Sequence, residues 1–145
     1  MNRKDYAGDS IVSKGMPQQA AVLCGGRGTR LRPYTDAVPK PMVEVADRPF
    51  LEHLLIQLAQ QGMTRFVLMT GYLGEQIHEH FGTGSRWGWD IQYSHGPAEW
   101  DTGRRVVEAA GLLEDTFFLL YSDNFAPVDL GVLAGRHAAA GRSLT

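Results

Sequence analysis

Apolar positions fall in short runs, separated by turn residues and by stretches with a helical period. Residues 18–23 are mostly apolar and lead straight into Gly25 and Gly26, which predicts a buried strand ending in a turn. Residues 65–70 (RFVLMT) and 117–121 (FFLLY) predict two more buried strands, and residues 91–94 a further one. Between them lie helical patterns. Leu51, Leu54, Leu55 and Leu58 make an apolar stripe on a helix expected to begin near Pro49, with Asp47 as its cap, and to close at Gly62. Shorter helices are expected over 74–80, over 102–110 with Asp101 or Thr102 as cap, and over 128–140, where Leu130, Leu133 and His137 are spaced along one face. A brief strand is expected over 42–45. Strands alternating with helices predict a parallel sheet covered on both faces, with its site beyond the carboxyl ends of the strands. The turn after Leu23 and the Ser122-Asp123-Asn124 segment after Tyr121 both fall there.

Composition narrows the class. The chain has 145 residues, 43% hydrophobic and 21% charged, as expected of one ordinary globular unit. Residues 1–17 are polar, with only Ile11 and Val12 to bury, and are expected to be a flexible tail; residues 18–145 show no linker or repeat and are assigned to one domain. A net charge of −2 argues against a general nucleic-acid surface. The single cysteine, Cys24, excludes an internal disulfide, suits a reducing cytoplasm and is expected to be a small buried residue. No apolar run approaches a membrane span and no signal-peptide pattern is present, so a cytoplasmic location is expected. His78 and Glu75 are expected to pair on a helix surface rather than bind metal, Trp87 and Trp89 to pack a loop, His53 to be solvated, and His137 to pack on the sheet or cap a loop.

The candidate chemistry lies just past the first strand. Gly25, Gly26 and Gly28 allow close backbone approach to a ligand, and their N–H groups can converge on phosphate oxygens. Arg27, Arg30 and Arg32 place guanidinium groups beside the same turn, and Lys40 follows between Pro39 and Pro41. This is an anion-binding device. It is not a dinucleotide fingerprint, because Leu31 stands where a third glycine is needed, nor a Walker loop, because Gly-Lys-Ser/Thr is absent.

GGRGTRLRP, PKPMVEV and RPFLEHLL resemble the signature of the sugar nucleotidyltransferases, and the likeness continues through GYLGEQIHEHFGTGSRWGWDIQYS, DTGRRVVEAA and FFLLYSDNFAPVDLGVLAGRH, covering nearly everything after Met16. The resemblance implies a Rossmann-like three-layer α/β/α fold with a mostly parallel sheet, apparently truncated. It implies transfer of a nucleotidyl group from a nucleoside triphosphate to a sugar 1-phosphate. In this pattern the backbone from Leu23 through Gly25 to Gly26 holds the nucleoside, and Gly28, Thr29 and Arg30 cradle the triphosphate. The resemblance makes Arg30 the expected transition-state clamp and Lys40 the group expected to neutralise the incoming phosphate. By the same likeness Asp123 is the expected Mg2+ ligand, and Thr102, Gly103 and Arg105 are candidate nucleotide contacts. Asp101 and Arg104 depart from the commoner pattern, which has small residues there. DTG followed by arginine looks closer to the glucose-1-phosphate cytidylyltransferase branch, whereas GYLGEQIHEHFG is equally similar to guanylyltransferases for heptose or mannose phosphates, so the base stays open. The family's later portion, with its sugar contacts and a second metal-binding aspartate, has no counterpart here. The expectation is therefore the nucleotide-binding half of the domain, partnered by a complementary C-terminal half or a second copy, with no nucleic-acid polymer or membrane as partner. A nucleotide-binding module without turnover is the alternative.

Overall fold

The computed structural model describes residues 16–145. Its centre is β1 (Gln19–Cys24), whose six residues are all buried. Parallel partners lie on both sides, β4 (Arg65–Thr70) and β6 (Phe118–Tyr121), and β5 (Asp90–His95) extends the sheet beyond β4, giving the order β5-β4-β1-β6. The register sets Cys24 beside Thr70, Thr70 beside His95, and Leu23 beside Tyr121, so the carboxyl ends finish level on one rim.

Alternation along the strands divides the core into two layers. Ala20, Val22, Cys24, Phe66, Leu68 and Ile91 face α1 (Phe50–Ala59), α2 (Gly74–Phe81) and α4 (Leu130–Ala140). Ala21, Leu23, Val67 and Met69 face the opposite way, against Ala109, Val106 and Leu112 of α3 (Thr102–Glu108) and the turn after it. This is the expected three-layer, Rossmann-like arrangement with helices on both faces. The polar start of β1 is satisfied: Gln19 Nε2 donates to Leu112 O at 2.9 Å and its Oε1 accepts from Glu114 N at 2.9 Å.

Details differ from the sequence expectations where long-range contacts decide. Asp47 does not cap α1; Pro49 is the residue before its first turn, and Asp47 (φ 63°) sits in the bend of a two-residue hairpin, β2 (Glu44–Val45) with β3 (Arg48–Pro49). The strand expected over 42–45 begins instead with a 3-10 turn, Lys40–Met42. Asp101 does cap α3, accepting from Arg104 N at 2.8 Å. His78 packs edge-on against Tyr93 rather than pairing with Glu75, and the histidine that meets a carboxylate on these helices is His80, whose Nε2 lies 2.9 Å from Oε2 of the buried Glu52. Trp87 and Trp89 stack at 5.0 Å and pack on Phe81 and Phe66. His53 contacts Val45 O at 2.7 Å, and His137 reaches Thr145 Oγ1 at 2.8 Å beyond the end of α4. Of the expected tail, residues 1–15 lie outside the described residues, while Met16 packs against the core. No described helix is long and apolar enough to cross a membrane.

Candidate nucleotide site

The site is built at the shared rim because β1, β4, β5 and β6 all end there. After Cys24 the chain turns through Gly25–Gly28 and folds back on itself. Gly28 has a left-handed backbone (φ 61°, ψ 32°), and a Cβ on it would lie 2.8 Å from Lys40 Cβ. Thr35, fully buried, donates from Oγ1 to Gly28 O at 2.9 Å. The turn, the 3-10 segment Thr29–Leu31 and the Pro39-Lys40-Pro41 corner therefore form one packed unit. Lys40 reaches across to the other side of β1, where its Nζ meets Asp123 Oδ2 at 2.5 Å.

Asp123 is placed by the end of β6. Ser122 is buried, its N–H donates to Leu23 O at 3.2 Å, and the next residue emerges at the rim. The segment beyond is tied to α1 and the turn after it: Gln57 Nε2 donates to Ala126 O, Gln61 Nε2 to Val128 O, and Leu130 N to Gln61 Oε1, at 2.8–3.0 Å. The Lys40 ammonium, and Arg30 more weakly, hold the Asp123 carboxyl below the usual carboxylate range, so it is ionised at neutral pH.

The arginines divide their work. Arg27 pairs with Glu99 at 2.6 Å, and its guanidinium lies 5.6 Å from the Tyr72 ring centre. Arg32 pairs with Asp36 at 3.1 Å. Arg30 is exposed, within electrostatic range of Asp123. Thr102 and Gly103 are exposed at the start of α3. Arg105 differs from the other candidates: it is 5% exposed and turned inward, donating to Thr70 O (2.8 Å), Gly25 O (3.2 Å) and Pro97 O (2.7 Å). The expected rim residues Leu23, Gly25, Gly26, Gly28, Thr29, Arg30, Lys40 and Asp123 thus come together, with Thr102 and Gly103 on the segment that follows β5.

Several parts of the rim were missed from the sequence. Thr35, Gly71, Tyr72 and Glu99 all contribute. Only Gly71 carried a local signal, as a glycine directly after a strand; the others act through contacts 7 to 72 residues away. Cys24, the last residue of β1, is buried as expected, and burial pushes its thiol up to about 12.

A parallel α/β sheet whose strand ends carry a glycine turn, a cluster of cations and the lowered carboxyls of Asp123 and Glu99 defines a class, the α/β proteins with a charged rim at the carboxyl ends of their strands. Within that class the chain belongs to the nucleotidyl transferase family, whose model matches residues 19–145. It is 40% identical over 119 residues to a mannose-1-phosphate guanylyltransferase of Mycobacterium tuberculosis, covering 81% of this chain and 33% of that protein. It is likewise 40% identical over 103 residues to an N-acetylmuramate alpha-1-phosphate uridylyltransferase of Neisseria meningitidis, covering 70% of this chain and 45% of the relative. In fold it matches HddC from Yersinia pseudotuberculosis, solved with GMP-PN, at TM-score 0.74 and 25% identity over 83% of this chain and 54% of that one. The chain spans a third to a half of the length of these curated relatives.

Proposed function

We propose that this chain carries the nucleotide-binding part of an enzyme that transfers a nucleotidyl group from a nucleoside triphosphate to a sugar 1-phosphate. The observation that carries the proposal is the meeting of Lys40 and Asp123, 83 residues apart, at the mouth of the glycine turn with Arg30 alongside. In the reaction an oxygen of the sugar phosphate attacks the α-phosphorus in line. A new P–O bond forms, and the bond to the β-phosphate breaks, its electron pair leaving with pyrophosphate. No protein nucleophile is required, so catalysis rests on positioning and charge neutralisation. The backbone of Leu23, Gly25 and Gly26 receives the nucleoside, with Thr102 and Gly103 on the facing segment, while Gly28, Thr29 and Arg30 receive the triphosphate. Arg30 gathers the charge that develops on the α-phosphate and the leaving group. Lys40 aligns the incoming phosphate.

Asp123 suits a hard divalent cation. Its carboxylate is ionised and partly exposed, and no described group of three or more His, Cys, Asp or Glu competes as a metal cage. One carboxylate completed by phosphate and water oxygens is the donor set that Mg2+ favours. Bound there, Mg2+ would screen phosphate charge and hold the triphosphate oxygens. The product, an NDP-sugar, suits surface polysaccharide or glycan precursor synthesis in the cytoplasm, where nucleoside triphosphates are made.

The test is calorimetric titration with CTP, GTP, UTP and dTTP, each with Mg2+, followed by pyrophosphate release on adding sugar 1-phosphates. Selective binding by one nucleotide, with release, supports the proposal and names the base. Binding without release favours a module that does not turn over. No binding by folded protein refutes the proposal.

A further inference from the structure

Arg105 is a buried cation that makes no salt bridge among the described residues, although the Glu99 carboxylate lies within electrostatic range. What surrounds the guanidinium is backbone: the carbonyls of Thr70, Gly25 and Pro97, reached at 2.8, 3.2 and 2.7 Å. These three oxygens belong to three separate strand ends. Thr70 is the last residue of β4, Gly25 follows β1 directly, and Pro97 lies just beyond β5. The guanidinium lies in a slot that only glycines permit. A Cβ on Gly25 would meet Arg105 Cζ at 2.1 Å, with both Nη atoms within 2.5 Å; a Cβ on Gly71 would meet Nη2 at 2.8 Å. The glycine turn and the segment after β5 are joined again at the surface by Arg27 and Glu99, 2.6 Å apart. Gly25 O also accepts from Tyr72 N at 3.2 Å, so the glycine turn is tied to β4 and to the segment after β5 at once.

We infer that Arg105 is a positioning residue of the nucleotide site: it does not touch the nucleotide, but spans three strand ends and sets the spacing between the glycine turn and the 96–101 segment. The inference rests on the nucleotide-binding function proposed above. A planar group with five donors in fixed directions can hold three carbonyls at once; an ammonium on a flexible stem cannot hold the same geometry. With the carbonyls engaged from behind, the peptide N–H groups of the turn keep one orientation toward the open rim, where converging N–H groups bind phosphate. The buried positive charge adds to the potential at the same place.

The decisive experiment compares the parent chain with Arg105→Ala and Arg105→Lys, titrating each with whichever of CTP, GTP, UTP or dTTP, with Mg2+, the parent binds most tightly. Affinity is expected to fall about tenfold or more in the alanine variant, on the scale of lost charged hydrogen bonds. Millimolar guanidinium chloride is expected to restore most of that loss and leave the parent unchanged, while the lysine variant stays weak. Unchanged affinity in Arg105→Ala, or no return with guanidinium, overturns the inference. A second readout does not depend on nucleotide: Gly25→Ala, whose new methyl would push the guanidinium from its slot, is expected to speed amide exchange at Tyr72 and at residues 98–100. If the parent binds none of the four nucleotides, the proposed function fails, and the strut is judged by this exchange alone; unchanged exchange in both Gly25→Ala and Arg105→Ala refutes it. If Arg105→Ala does not fold, Arg105→Lys takes its place in both measurements, and unchanged affinity and exchange in that variant overturn the inference.

Discussion

Arg30 and Lys40 bring positive charge to one rim under different constraints. Lys40 is held by flanking prolines and by Asp123, whereas Arg30 stands exposed on a 3-10 turn. Each is expected to be needed for the transfer proposed above: in an enzyme completed by its remaining half, Arg30→Ala or Lys40→Ala should lower turnover, read as pyrophosphate release, by about 100-fold or more. Near-normal release in either variant would remove that residue from the mechanism. Cys24 gives a prediction of another kind. Its folded-state pKa, about 12, lies above the ordinary 9.0, so above pH 9 the unfolded chain releases a proton that the folded chain keeps, and stability falls as pH rises toward 12. Iodoacetamide at pH 8 should leave the native thiol unlabelled and modify it on denaturation, and Cys24→Ala should lose less stability between pH 9 and 11 than the parent. Rapid labelling of native protein would contradict the burial argument. The sequence made these residues legible because glycine and proline announce their backbone demands locally, and arginine and lysine their charge. It did not reveal the inward turn of Arg105, whose orientation depends on carbonyls 35 and 80 residues away.

At the level of elements, caps show which local signals survive folding. Asp101 and Asp129 both accept from the N–H three residues on, at 2.8 Å, and open α3 and α4. Replacing either by alanine is expected to cost about 1 kcal/mol and lower the melting temperature by a few degrees, measured by circular dichroism. An unchanged melting temperature would mean that packing alone holds the helix start. Asp47 looked equally suited to cap α1, yet the hairpin of β2 and β3 takes it into its bend. Two-residue strands carry too little pattern to be read from sequence, so the hairpin stayed hidden. The four main strands and four helices were readable because β1 and β4 are buried on both faces and Leu51, Leu54, Leu55 and Leu58 sit on the buried side of α1. The partner of His80 was not, since Glu52 lies on another helix.

Across the molecule, β6 pairs with β1 on one side only and stands at the edge of the described sheet. Leu119 and Tyr121 on this strand are 43% and 56% exposed, and Phe125 and Val128 nearby are also open. An apolar sheet edge invites strand pairing or association. Sedimentation velocity is expected to show association that rises with concentration and is reduced in Leu119→Lys; a monomer at all concentrations in both would remove the edge as a contact surface. The joining of Lys40 to Asp123 across β1 also has a consequence in time. On the ribosome the glycine turn is made early, but the aspartate that faces its lysine is added 83 residues later, on the order of ten seconds at usual synthesis rates. Throughout that interval Lys40 is displayed without the carboxylate that will face it, an ammonium open to the phosphates of nearby ribosomal RNA.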